Sequence, residues 1–435
     1  MEKFLTFQQD QWAVHILPTK QFKTRHMSVR LLWPLDHSRL TATAVLPYLL
    51  LEGTKKYPTA KSIMRYADDL FGAVIRTGIG KRGTMQVLEA SGSLPEESAI
   101  HGAEGLFQKV QELLVDLLGD PFLEGDAFPR SHVDRELTLH KKRIESVYDD
   151  KMAYAMERCV EEMGRGETFG LPRLGYVDDL QDLSGEILRQ VHQQLLKEAE
   201  LHVYVVGNIA NPEGFAQVMF KTLASRFGTA AAQRKSLQTV QPLDYRAGDV
   251  RYVQEQQEIN QGKLNLGFRT QVSYSSPDYT TLLVANGILG GFPHSKLFVN
   301  VREKASLAYY ASSRLDGLTG VIAVQTGIDP RNYERALQII LEQVQALKDG
   351  QVSKEEIEFT KNGLRNQYLQ ALDQPMSIAD VHFSGVLTRT DRNIDDLLNQ
   401  LQAVQSDDVV KIAQTLHQDT VYFLGNRGEQ DDAQG

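Results

Sequence analysis

Val203-Tyr204-Val205-Val206-Gly207-Asn208 returns 218 residues later as Val421-Tyr422-Phe423-Leu424-Gly425-Asn426. Upstream, Val177-Asp178-Asp179-Leu180 is echoed at a separation of 217 residues by Ile394-Asp395-Asp396-Leu397. In each half a helix pattern lies between the two matches. Either match alone is within reach of chance. Two matches at one spacing argue for a duplicated domain of about 200 residues, larger than a solenoid repeat.

Working outward, Gly228 to Gly248 is rich in Ala, Gln, Thr and Gly and lacks periodicity, as a linker does. The expected division is therefore a domain over 1–227, a linker over 228–248 and a second domain over 249–435. In the first half, Met27–Leu35 reads as a strand and Ser38–Glu52 as a helix stopped by Gly53. Thr59 is placed to cap a helix that runs to Phe71. Residues 73–95 alternate like two strands and a turn. Helices follow from Ala103 and over Val133–Tyr148. The second half repeats the order: a strand at Leu264–Arg269, a helix at Asp278–Leu289, a meander over 304–327, then helices at Asn332–Leu347 and Lys354–Leu372. The pattern is α+β, with antiparallel sheets packed on helices.

The chain has 435 residues, 42% hydrophobic and 24% charged, an ordinary globular composition. Its net charge of −9 argues against nucleic acid as the main partner. Lys55-Lys56 and Lys141-Lys142-Arg143 are short basic runs with acids nearby. The single cysteine, Cys159, rules out an internal disulfide and reads as a helix thiol without a positioned base. No basic, apolar-cored leader opens the sequence, and the longest apolar stretch, Ala44–Leu51, is far short of a membrane span. The expectation is a cytoplasmic protein with no membrane partner.

Two stretches carry chemistry. One is Ala44-Val45-Leu46-Pro47-Tyr48-Leu49-Leu50-Leu51-Glu52-Gly53-Thr54. The other runs Leu289-Gly290-Gly291-Phe292-Pro293-His294 and closes on Val301-Arg302-Glu303-Lys304 with Leu307-Ala308-Tyr309. Both resemble the pitrilysin/insulinase family of inverted-zincin peptidases, in particular its small two-domain branch, which includes the mitochondrial processing peptidase. The resemblance spans essentially the whole chain. It implies two duplicated α/β-roll domains forming half of a clamshell.

In that family the first stretch reads H-x-x-E-H before Gly-Thr, with two zinc-binding histidines and a glutamate base. A catalytic zinc needs about three protein ligands and a water. Counted back from Gly53-Thr54, the ligand positions fall on Ala44 and Tyr48 and the base on Pro47. The later ligand falls on Arg143, with Glu136 matching a supporting glutamate. Alanine offers no donor, proline accepts no proton, and a guanidinium repels a cation. The resemblance thus implies a chain that binds no metal or other cofactor and hydrolyses nothing alone. His132, Glu136 and His140 recur at four-residue steps, but the outer pair spans about 12 Å along a helix, too far to share an ion. A two-residue surface site is one reading of them, and a solvated helix face is the stronger one.

What the resemblance leaves intact is Arg302 and Tyr309, which in the family help hold a substrate peptide against the zinc. Taken alone they read as a surface charge and a half-buried strand aromatic. Gly287, Gly290 and Gly291 resemble the glycine loop of the non-catalytic processing-peptidase subunit, and read equally as a helix C-cap and turn. His294 reads either as a peptide contact or as a loop-surface histidine. The strand with Thr84, Gln86, Leu88 and Ala90 is expected where the family adds a substrate strand to the sheet edge.

The resulting expectation is a non-catalytic subunit that binds peptide and pairs with a homologous, zinc-bearing chain. Arg302 and Tyr309 would serve that partner's zinc. The alternatives are a homodimer and a peptide- or protein-binding scaffold without an active partner.

Overall fold

The computed structural model describes residues 3–102, 104–228, 240–245 and 248–425. They form two compact units. The first falls within Met1–Ser146, Leu171–Gln238 and Gln374–Asp380, the second within Val147–Gly170, Thr239–Asp373 and Val381–Gly435. Much of the expected linker, 229–239 and 246–247, lies outside the described residues, as does Asn426.

In the first unit, β1 (Leu5–Gln9), β2 (Trp12–Pro18), β3 (Thr24–Pro34), β4 (Val74–Arg82), β5 (Met85–Pro95) and β6 (Glu200–Gly207) form one sheet. Its order is β1-β2-β6-β3-β5-β4, and only β2 and β6 run parallel. In the second unit the strands are β7 (Arg251–Glu255), β8 (Gly262–Arg269), β9 (Ala308–Asp316), β10 (Val321–Ile328) and β11 (His417–Leu424). Their order is β7-β11-β8-β10-β9, with only β7 and β11 parallel. Apart from β1, the two sheets have the same neighbour order and the same sense at every pairing. The matched sequences around Tyr204 and Tyr422 occupy equivalent strands, β6 and β11. The mixed α/β architecture is thus a duplication that the sequence repeat marks.

Strand alternation decides what covers each face. In β11, Val421 and Phe423 enter the large core with Leu266, Ile340 and Val409, whereas Tyr422 and Leu424 point the other way, onto Ala155 and Cys159. Those two residues lie on the helix Lys151–Met163, which Asp150 caps through the amides of Met152 and Ala153. Gly267 admits this helix: a Cβ there would sit 2.7 Å from the Met163 sulfur. Arg269 fastens its end, donating to the Met163 carbonyl and to Glu167. The helix therefore belongs to the second unit, although it lies in the half of the sequence assigned to the first domain.

The reverse exchange occurs at Gln374–Asp380, which belongs to the first unit. There Asp380 pairs with Arg30 of β3 at 2.8 Å and with Arg82 of β4 at 3.0 Å. The Arg30 guanidinium is 2% exposed and lies 4.9 Å from the centre of the Tyr204 ring. The expected cut between 1–227 and 249–435 misses both exchanges, because each rests on contacts between residues far apart in sequence. Among the described residues no helix is long and apolar enough to cross a membrane.

Candidate functional site: a remodelled helix pair and an open strand edge

Helix Leu40–Leu50 is almost wholly buried and mostly apolar, as a core helix requires, and its buried Thr41 and Thr43 hydroxyls donate to Asp179 and Gln86. Pro47 sits inside it. The ring removes one backbone donor, so the Thr43 carbonyl loses its usual partner four residues on. The Pro47 carbonyl itself accepts a hydrogen bond from the Thr77 hydroxyl of β4, at 2.5 Å. Ala44 is completely buried, and Tyr48 is half-buried.

The facing helix, Arg130–Asp149, supplies Arg143. Its guanidinium lies 3.7 Å from the centre of the Tyr48 ring. Both terminal nitrogens donate to one oxygen of Glu136, each at 3.2 Å. Glu136 is 3% exposed, one turn before His140, which is fully buried. The His140 Nε2–H donates to the Leu174 carbonyl at 2.8 Å, and Nδ1 has no partner among the described residues. Burial lowers the His140 pKa, and the Arg143 and Arg173 charges lower it further, so the imidazole is neutral. The expectation of a solvated face is corrected here: Glu136 and His140 point into the fold.

These side chains do not fit a zinc ion. Ala44 and Pro47 present no donor atom, Tyr48 is covered by a cation, and Arg143 already neutralises the nearby carboxylate. Among the described residues no group of three or more His, Cys, Asp or Glu side chains is placed to hold a metal. Cys159 offers no alternative nucleophile, since complete burial pushes its thiol up to about 12.

β4 borders this helix pair and is an edge of its sheet. The strand with Gln86, Leu88 and Ala90 is β5, which pairs with β3 on one side and β4 on the other, and Thr84 lies in the turn. The expected edge is therefore one strand too far in. Arg82 and Met85 close the two-residue turn at Gly83-Thr84, so they are a hydrogen-bonded pair. Counting back in twos, the backbone groups of Ile75, Thr77, Ile79 and Lys81 face outward. The Ile79 carbonyl accepts from Arg173 at 3.2 Å. Those of Ile75 and Thr77 have no partner among the described residues. Arg173 was not foreseen, because it sits in an irregular segment whose role is set only by the fold.

The second unit contains the other sequence-derived residues. Helix Tyr279–Asn286 continues into a π-helical turn, Gly287–Gly291. None of Gly287, Gly290 and Gly291 has a positive φ, so they form no left-handed C-cap. A Cβ on Gly287 would lie 2.4 Å from the Thr360 methyl, and one on Gly290 2.4 Å from the Ser313 backbone nitrogen. These two glycines allow close packing, and only Gly291 is exposed. A second π-helical turn, Phe298–Lys304, presents Arg302, whose guanidinium lies 4.5 Å from the centre of the Phe298 ring. Tyr309, near the start of the edge strand β9, is 69% exposed, not half-buried. His294 hydrogen-bonds Thr360 at 2.9 Å and stacks on Phe292.

Residues 182–364 match the family profile described as peptidase M16 inactive domain. The chain is 36% identical over 414 residues to the probable inactive metalloprotease YmfF of Bacillus subtilis, covering 95% of each. It is 24% identical over 308 residues to the uncharacterized zinc protease YmxG of the same organism, covering 69% of this chain and 72% of that one. Among solved structures, a conserved protein from Enterococcus faecalis V583 superposes with a TM-score of 0.90 at 28% identity, over 99% of this chain and all of that one.

Proposed function

This chain belongs to the peptidase M16 family as an inactive metalloprotease homologue, and from that premise we propose that it is the non-catalytic subunit of a peptide-binding pair. The partner is a homologous chain that carries H-x-x-E-H and its zinc. The present chain supplies Arg302 and Tyr309 to that chain's substrate and receives an extended peptide along β4.

The observation that carries this reading is an asymmetry. The helix pair that would hold a metal is filled by the Tyr48–Arg143–Glu136 stack. Arg302 and Tyr309 both remain exposed, with a guanidinium fork and a phenol available to a ligand. Neither side chain is needed to satisfy a buried group. The outward backbone of Ile75 and Thr77 adds a place where an extended segment can pair. We place the protein in the cytoplasm, in keeping with its single cysteine.

The test is peptidase assay of the purified chain alone and after mixing with a zinc-bearing homologue from the same cell. Activity is expected only in the mixture, and Arg302→Ala and Tyr309→Phe in this chain should each lower it. Zinc-dependent hydrolysis by the isolated chain would overturn the proposal. So would a complex indifferent to both substitutions. A chain that captures peptide but never acquires an active partner would instead be a binding scaffold.

A further inference from the structure

β4 and the Tyr48–Arg143 pair are joined by a chain of contacts within the first unit. Thr77 donates to the Pro47 carbonyl, Tyr48 follows Pro47, and Arg143 covers Tyr48. On the adjoining segment, Leu174 accepts from His140 and Arg173 donates to the edge carbonyl of Ile79. Arg173 therefore lies on that strand edge, and Arg143 is linked to it through Tyr48 and Pro47. A third guanidinium, that of Arg76, is exposed on β4 itself, on the opposite face.

The charges here are unequal in what they leave unspent. Glu136 is buried beneath Arg143, and Glu52 is paired with Arg135. Asp380 is shared by Arg30 and Arg82, and Glu89 is paired with Arg30. Arg143 uses two of its five N–H groups on Glu136, leaving three without an acceptor among the described residues. Arg173 meets only a neutral carbonyl there. Arg76 has no ion-pair partner among the described residues.

We infer that the β4 edge is a receptor for acidic extended segments, in which carboxylates on one side of the segment meet Arg143 and Arg173 and those on the other side meet Arg76. The inference deepens the peptide-binding reading above and rests on it. Backbone pairing with Ile75 and Thr77 would give register without sequence preference, since main-chain groups are common to all residues. The guanidiniums give the preference, because a planar fork pairs bidentately with a carboxylate, and stacking on Tyr48 already holds that of Arg143 in place. The net charge of −9 means that the field of the whole chain does not attract such a segment. Selection is therefore local and sets residence rather than encounter. Cations on an edge strand also serve to keep other strands away, and the experiment separates that role from recognition.

The full chain is titrated calorimetrically with two capped nine-residue peptides, one repeating threonine-glutamate-glutamate, which places glutamates on both faces of an extended segment, and the other threonine-glutamine-glutamine. The acidic peptide is expected to bind about tenfold more tightly. Arg143→Gln, Arg173→Gln and the exposed Arg76→Gln should each bring its affinity toward that of the neutral peptide and leave the neutral peptide's affinity unchanged. Equal binding of the two peptides overturns the acidic preference and leaves edge addition standing. Binding of neither overturns both.

Discussion

Arg143 and Glu136 show how one residue can close a metal chemistry and stabilise what remains. The carboxylate is 3% exposed and would be costly to bury alone; the guanidinium satisfies one oxygen twice and packs on Tyr48. Arg143→Ala should therefore destabilise the chain by about 1–3 kcal/mol, discounted because the arginine is partly exposed. Adding Glu136→Gln should recover most of that loss, because the uncompensated charge is removed. Urea unfolding of the two single variants and the double variant measures the coupling, and strict additivity would show that the pair is not a unit. Ala44, Pro47, Tyr48 and Arg143 could each be read in the sequence, because a donor is present or absent in a side chain whatever its surroundings. That Arg143 stacks on Tyr48 could not, since the two helices meet only in the fold.

At the scale of elements, two packings make predictions. Helix Gly185–Glu198 is tied to helix Leu106–Gly119 by His192, whose Nε2–H donates to the Leu118 carbonyl at 2.7 Å. Burial lowers the His192 pKa to about 4 from an ordinary 6.5. Between those values the unfolded chain takes up a proton that the folded chain refuses, so stability falls as pH falls. The loss should be on the order of 2–3 kcal/mol from pH 7 to pH 4 and is absent above about pH 7. His192→Gln should flatten that part of the stability profile measured by thermal or urea unfolding. The π-helical glycines give the second prediction. Gly290→Ala places a methyl against the Ser313 backbone and should cost about 1–3 kcal/mol, whereas Gly291→Ala meets nothing closer than 3.5 Å and should be near neutral. Equal melting temperatures for the two variants would contradict the close approach. The sequence offered a glycine loop or a C-cap here. The structure gives a third answer, because neither reading could anticipate strand β9 packed against the turn.

For the whole molecule, the exchange of helices between the two halves of the sequence has a direct consequence. A fragment of residues 239–435 would contain every strand of the second sheet but not helix Lys151–Met163. Tyr422 and Leu424 would then face water where Ala155 and Cys159 now cover them. The fragment should aggregate or bind a hydrophobic dye, and a peptide of residues 147–170 supplied in trans should restore a cooperative melt. A monomeric fragment that unfolds cooperatively without the peptide would show that the helix is dispensable. The duplicated strand order was legible in the repeat around Tyr204 and Tyr422, but the units' boundaries were not.

The sequence by itself determined which side chains stand at the zinc-motif positions and that the domain is doubled, because side-chain identity and repeated strands are properties of consecutive residues. Only the tertiary structure decided that β4, not β5, is the sheet edge, that Glu136 and His140 are buried, and that two helical segments change sides. Edge, burial and helix partner are each fixed by contacts between residues distant in the chain, and local pattern carries no record of them.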